Sequence, residues 1–112
     1  MTTHMSADEY RHAVAKGHGH QPESVILQQV RDVLRLWGWV VVRMQQGLGS
    51  HKGIGDLLCF RAGKTHWVEI KTPSGRLSEH QLRFQQEMED QKIPYSVVHS
   101  IEEVESMREL ET

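Results

Sequence analysis

At 112 residues, with 38% hydrophobic and 25% charged side chains, the chain is sized for one compact domain with a packed core and is too short for two. It has no run of about 18 apolar residues and no charged-then-apolar leader, so neither a membrane span nor a secretory signal is read from it. Cys59 is the only cysteine, which excludes a disulfide framework and a cysteine-rich zinc site and fits a reducing, cytoplasmic setting such as that of a bacterial or phage-encoded protein, while the net charge of -2 argues at first sight against nucleic acid.

Residues 1–21 are polar and rich in His and Gly, ending in Gly17-His18-Gly19-His20, and read as a partly helical or mobile arm ahead of a domain at 22–112. From Pro22 to Trp37 the apolar residues Ile26, Leu27, Val30, Val33, Leu34 and Trp37 recur at helical spacing, with Pro22 suited to the first turn and Gly38 as a stop. Glu23 lies three and four residues before Ile26 and Leu27, which aims its carboxylate along the core-facing stripe; a first-turn Glu is also what the helix dipole favours. Trp39–Gln45 is β-branched and short, hence a strand. The glycine-rich stretch 46–55 lacks the Gly-Lys-Ser/Thr ending of a triphosphate-binding loop and reads as a plain connection.

Asp56–Arg61 and Thr65–Lys71 are expected as two strands joined by a tight turn around Ala62-Gly63-Lys64. Arg76–Gln91 is expected as a helix, with Ser78 and Gln81 forming a capping box and Leu77 stapling to Leu82. Pro94–His99 is a further strand, and Ser100-Ile101-Glu102-Glu103 opens a final acidic helix with the same capping-box signature. Helix, three strands, helix, strand, helix is an α/β arrangement around a mixed sheet.

The charge is unevenly distributed along this order. Residues 1–40 balance, residues 41–83 carry seven Lys/Arg against three Asp/Glu, and residues 84–112 carry two against eight. A basic middle segment can meet phosphates while an acidic tail faces elsewhere. Arg43, Lys52, Arg76 and Arg83 are its candidates for phosphate contact.

Strand parity isolates a possible site. Glu69 and Lys71 project to one face of their strand, Val68 and Ile70 to the other. If Ala62-Gly63 form the turn, Asp56 falls opposite Glu69; if Gly63-Lys64 do, it falls opposite Lys71. Either register puts Asp56 on the face of Glu69 and Lys71. Opposed carboxylates repel unless a cation lies between them, and a hard ion such as Mg²⁺ suits oxygen donors of this kind. The alternative is a surface Asp–Lys–Glu ion-pair cluster of little energetic weight.

Gly55-Asp56 followed by Glu69-Ile70-Lys71 resembles the PD-(D/E)XK nuclease motif. With Glu23, Gly53-Ile54-Gly55-Asp56, Val68-Glu69-Ile70-Lys71-Thr72-Pro73 and Gly75-Arg76-Leu77-Ser78-Glu79-His80-Gln81, the chain resembles the VRR-NUC (virus-type replication-repair nuclease) family over roughly residues 22–108. Gly55 stands where that family usually has Pro. The resemblance implies a restriction-endonuclease-like fold, a central mixed β-sheet flanked by helices, that cuts DNA with Mg²⁺ or Mn²⁺. It implies that Asp56, Glu69 and the Ile70 carbonyl hold the metal, with Glu23 completing the site directly or through water. It also makes Lys71 the group that orients the attacking water and offsets transition-state charge, with Gln81 beside it. Stand-alone members resemble homodimers acting on branched DNA such as four-way junctions, and fused members act on flaps. A broader-specificity nuclease subunit of a larger complex and a non-catalytic DNA-binding module are the alternatives. Trp37, Trp39 and Trp67 are apolar residues that could anchor a dimer.

Overall fold

The structure, a computed structural model, describes residues 6–9, 11, 21–47 and 49–109. The expectation of an arm at 1–21, with its Gly17–His20 tract, falls largely outside them. The described elements are α1 (Glu23–Leu36), β1 (Val40–Arg43), β2 (Leu57–Arg61), β3 (Lys64–Ile70), α2 (Glu79–Asp90), β4 (Tyr95–Val98) and a 3₁₀ helix (Ile101–Met107). Among them, no helix is long and apolar enough to cross a membrane.

The strands form one sheet in the order β1-β2-β3-β4, antiparallel at the first two pairings and parallel at the third, with α2 as the crossover that a parallel pair requires. The expected mixed α/β sheet is therefore present. Ala62 and Gly63 both have positive φ (48° and 80°), the backbone of a two-residue type I′ turn. Arg61 accordingly pairs with Lys64, and of the two registers open from the sequence this is the one that carries Asp56 opposite Glu69.

Alternation along the strands gives the sheet two unlike faces. On one, α1 lays Ile26, Leu27, Val30, Val33 and Leu34 against Val41, Leu57, Cys59, Val68, Ile70 and Val98. Burial pushes the Cys59 thiol up to about 12, so it acts as a small core hydrophobe rather than a nucleophile. On the other face, α2 packs Phe84 edge-on to Trp67 (ring centroids 5.0 Å apart, planes at 88°) and 6.0 Å from Tyr95.

Several expectations need correction. The final helix is 3₁₀, and its apolar residues Ile101, Val104 and Met107 recur every three positions, a spacing that three residues per turn keeps in line against the core. Ser100 makes no side-chain cap there; the Glu103 carboxylate instead accepts from the His99 N–H at 3.2 Å. The helix α2 starts at Glu79 rather than Arg76, because its cap is Ser78. Leu82 is 52% exposed, so a Leu77 staple covers little of it. The first strand spans Val40–Arg43, not Trp39–Gln45: Gly38, at φ 91°, turns the chain, and the Trp39 N–H is spent on the Leu34 carbonyl. The tryptophans are interior. Trp39 and Trp67 are buried, the Trp39 indole N–H donates to the Met107 carbonyl at 2.8 Å, and Trp37 is half-buried against the core. The exposed apolar side chains are instead headed by Val40 and Leu82, with Val40, Val42 and Phe60 adjacent across β1 and β2.

Candidate active site

The end of the sheet where β1, β3 and β4 finish and β2 begins gathers the polar groups. Just before β2, the Asp56 carbonyl accepts from the Met44 N–H at 2.9 Å, so the backbone groups of Asp56 face β1. Opposite it, Glu69 belongs to the half of β3 whose backbone serves β4, as the Trp67 N–H to Pro94 and Lys71 N–H to Val98 bonds show. Asp56 and Glu69 therefore oppose each other without backbone bonds between them, the narrow kind of pair in which side chains come closest.

Beyond the last ladder bond, the Asp56 side chain substitutes for a strand: its Oδ2 accepts the Ile70 N–H at 2.7 Å. Because N–H and C=O of one strand residue point the same way, the Ile70 carbonyl also faces the Asp56 side. Glu69 is 1% exposed, the one buried charged residue of the described chain. Its Oε1 accepts from Gln81 Nε2 at 2.9 Å. Gln81 Oε1 meanwhile accepts from the Ser78 N–H (2.8 Å), and the Gln81 N–H donates to Ser78 Oγ (3.2 Å). One amide thus closes the capping box and holds the Glu69 carboxylate, so neither reading of Gln81 excludes the other.

The electrostatics of this pair are strained. Burial pushes the Glu69 carboxyl up to about 9, and a hydrogen bond with Asp56, together with its charge, pushes in the same direction. Lys71 pulls it down, and Glu23 adds a smaller upward push. Carboxylates brought face to face in this way are relieved by a cation between them. The Tyr95 hydroxyl, buried without a hydrogen-bond partner, has its ionisation opposed by burial and by the charges of Glu69 and Asp56, so it stays a neutral phenol.

Other residues singled out in the sequence are placed as follows. Glu23 is exposed in the first turn of α1, and its charge acts on Glu69. Lys71 is half-buried, and Arg43, Lys52, Arg76 and Arg83 are all exposed. Arg43 and Asp56 share a cleft of about 480 Å³ with Met44, Gln45 and Gln46. These three were not singled out as site residues from the sequence, where Met44 and Gln45 were expected within the first strand and Gln46 at the start of the glycine-rich connection. Gln46 Nε2 donates to the Ile54 carbonyl at 2.8 Å and so clamps the two ends of the glycine-rich connection.

Two glycines set the approach to Asp56. At Gly53, with φ 77°, a Cβ would lie 2.1 Å from the His80 carbonyl oxygen and 2.8 Å from Gln81 N, so only glycine lets this loop rest on the start of α2. At Gly55, a Cβ would fall 2.8 Å from the Trp67 ring. That ring accounts for a glycine here in place of proline, whose own side chain would need the same space.

The donor set suits a hard cation. Among the described residues no group of three or more His, Cys, Asp or Glu could hold an ion. Two carboxylates and a main-chain carbonyl are instead a small oxygen set of the kind that would suit Mg²⁺ alongside water and substrate phosphate.

The VRR-NUC domain family matches residues 4–102 of this chain. A solved structure described as a VRR_NUC domain is similar at a TM-score of 0.66 and 23% identity, over 76% of this chain and 91% of that one, a likeness that speaks for the fold. No curated protein matches the chain. With the restriction-endonuclease-like sheet and a family match that spans most of the sequence, this chain belongs to the VRR-NUC family of nuclease-type domains.

Proposed function

We propose that the domain hydrolyses phosphodiester bonds of DNA with Mg²⁺ or Mn²⁺ held by Asp56, Glu69 and the Ile70 carbonyl, with Glu23 acting through water. The observation that carries this reading is the buried Glu69 facing Asp56, with burial and the Asp56 charge raising the Glu69 carboxyl, the arrangement of a place prepared for a cation. When bound, such an ion lowers the pKa of its water and offsets charge on the phosphate oxygens. Asp56, tied to the Ile70 N–H, and Glu69, tied to Gln81, are fixed before any ligand arrives. Lys71, on the same face, orients the attacking water and balances the negative charge that develops on the phosphate. Gln81 positions Glu69 without touching the reacting atoms. A non-catalytic DNA-binding module has no use for a buried Glu69 set against Asp56, which favours the enzyme.

Branched DNA is the proposed substrate, and a homodimer the proposed form. Resolving a four-way junction takes two cuts related by a two-fold axis, which a C₂ dimer supplies. Incubating labelled four-way junction, flap and linear duplex with the protein should give paired symmetric cuts in the junction with Mg²⁺ or Mn²⁺, and little product with Ca²⁺. Preferential cutting of flaps would favour the flap-nuclease alternative, and equal cutting of every substrate a broader nuclease.

Because the tryptophans are interior, Val40, Val42 and Phe60 take their place as proposed dimer anchors. Light scattering should report a dimer, and Val42→Arg a monomer; a wild-type monomer at working concentration would contradict this.

Phosphate binding is assigned to the exposed Arg43, Lys52, Arg76 and Arg83. Replacing a contacting residue should weaken binding alike across DNA sequences and lower the salt slope by about one. A slope unchanged by all four substitutions would place the phosphates elsewhere.

A further inference from the structure

One polar atom beside the carboxyl pair has no part in the chemistry proposed above. Tyr95 opens β4 in register with Trp67 of β3, and paired residues of neighbouring strands point to the same face. Trp67 and Glu69 share that face, so Tyr95 is the diagonal neighbour of Glu69, one strand over and two residues back. Phe84 of α2 marks the same side of the sheet, with its ring 5.0 Å from Trp67 and 6.0 Å from Tyr95. One strand spacing and two residue rises put the Cα atoms of Tyr95 and Glu69 about 8 Å apart, a gap that a phenol and a carboxylate can close between them.

The ring and its hydroxyl have different surroundings. The ring is half-buried and lines an open hollow together with Glu89 and Lys92. The hydroxyl is buried and has no hydrogen-bond partner. Burial most, and then the charges of Glu69 and Asp56, oppose its ionisation, so it lies within the field of the pair as a neutral donor. A buried hydroxyl without a partner works against folding, and phenylalanine would fill the same place without that penalty. Glu69 can supply what the hydroxyl lacks. Its Oε1 accepts from Gln81 Nε2 at 2.9 Å and its carboxyl also bonds with Asp56. An ionised carboxylate offers about four lone-pair sites, so with Gln81 on one and a cation on another, acceptor sites remain.

We propose that the Tyr95 hydroxyl is a positioning group of the metal site, donating a hydrogen bond to the Glu69 carboxylate when a cation occupies the Asp56–Glu69 pair. This rests on the reading of that pair as the metal centre of a nuclease. Donors behind a metal-holding carboxylate fix the direction in which it faces. Glu69 is then held from two elements, by Gln81 of α2 and by Tyr95 of β4.

The test uses the full chain, with Mn²⁺ calorimetry, thermal melting in EDTA and junction cleavage over a range of Mg²⁺. Tyr95→Phe removes only the hydroxyl and keeps the ring against Phe84. In EDTA it should melt at or above the wild-type temperature, because the metal-free protein gives that hydroxyl no partner. Its Mn²⁺ affinity should fall about tenfold, the low end of what losing a partner behind a metal ligand costs. Half-maximal cleavage of labelled four-way junction should need about tenfold more Mg²⁺. The rate at saturating Mg²⁺ should match wild type, since the hydroxyl touches no reacting atom. A folded Tyr95→Phe protein with wild-type Mn²⁺ affinity would overturn the assignment. So would a variant that melts lower than wild type in EDTA, which would give the hydroxyl a structural role in the metal-free protein. If wild type itself binds no Mn²⁺, the metal-centre reading fails and the assignment of Tyr95 falls with it.

Discussion

Lys71→Ala should lower the cleavage rate by at least ~10²-fold, the scale of removing one positioned transition-state group, while calorimetry still reports metal binding. Asp56→Asn and Glu69→Gln should instead remove metal binding and cleavage together. The separation follows from the geometry. Asp56 and Glu69 face each other and would supply the oxygens of the proposed site, whereas Lys71 shares their face and acts on Glu69 through its charge. Its ammonium cannot ligate a cation, so its loss leaves the donor set whole. An active Lys71→Ala variant would take Lys71 out of the mechanism. A double variant, Asp56→Asn with Glu69→Gln, that still bound metal would place the ion elsewhere.

The second large effect concerns pH. Freed of metal by EDTA, the protein should lose stability as pH rises from about 4.5 toward 9. Glu69 has its ordinary value of 4.5 in the unfolded chain and is raised to about 9 in the folded one. Between those values the native state holds a proton that the unfolded state has released, so the equilibrium moves toward unfolding as pH climbs. Below 4.5 both states are protonated and the contribution is fully present; above 9 both are ionised and it is gone. His66 adds an opposite slope at acid pH, because burial lowers its value from 6.5 and the unfolded chain takes up a proton first. Subtracting the Glu69→Gln profile from that of wild type isolates Glu69. Urea midpoints at pH 5, 7 and 9 should fall for wild type relative to Glu69→Gln, which lacks the titrating group and should be the more stable at pH 9. Added Mn²⁺ should flatten the wild-type fall, since a bound cation favours the charged carboxylate. Parallel profiles for the two proteins would contradict the buried carboxyl pair.

Much of this site could be read from residue order because its logic is local. Period-two alternation through Trp67–Lys71 separates Glu69 and Lys71 from Val68 and Ile70, and a two-residue turn at Ala62-Gly63 fixes what stands opposite. Ser78 and Gln81 announce the start of α2, and the cap that they form is present. What escaped notice depends on contacts between distant segments. Nothing local tells that the Gly53 backbone rests on His80, or that the Trp67 ring occupies the space a side chain at position 55 would fill. The 3₁₀ winding of 101–107 follows from a core that accepts apolar residues every third position, while the Ser-x-x-Glu pattern favoured an α-helical start. Helix periodicity aimed Glu23 along the core-facing stripe; it sits exposed in the first turn of α1, and its charge acts on Glu69. Trp39 and Trp67 went inward because Trp39 finds a carbonyl for its indole N–H and Trp67 finds the edge of Phe84, which leaves Val40 and Val42 of β1 outside.

The most direct measurement is cleavage of a labelled four-way junction by wild type and by Glu69→Gln, each with Mg²⁺ and with EDTA. The account predicts products from wild type with Mg²⁺ and from none of the other three reactions. Full activity in EDTA, or a Glu69→Gln protein that cuts as fast as wild type, would contradict it.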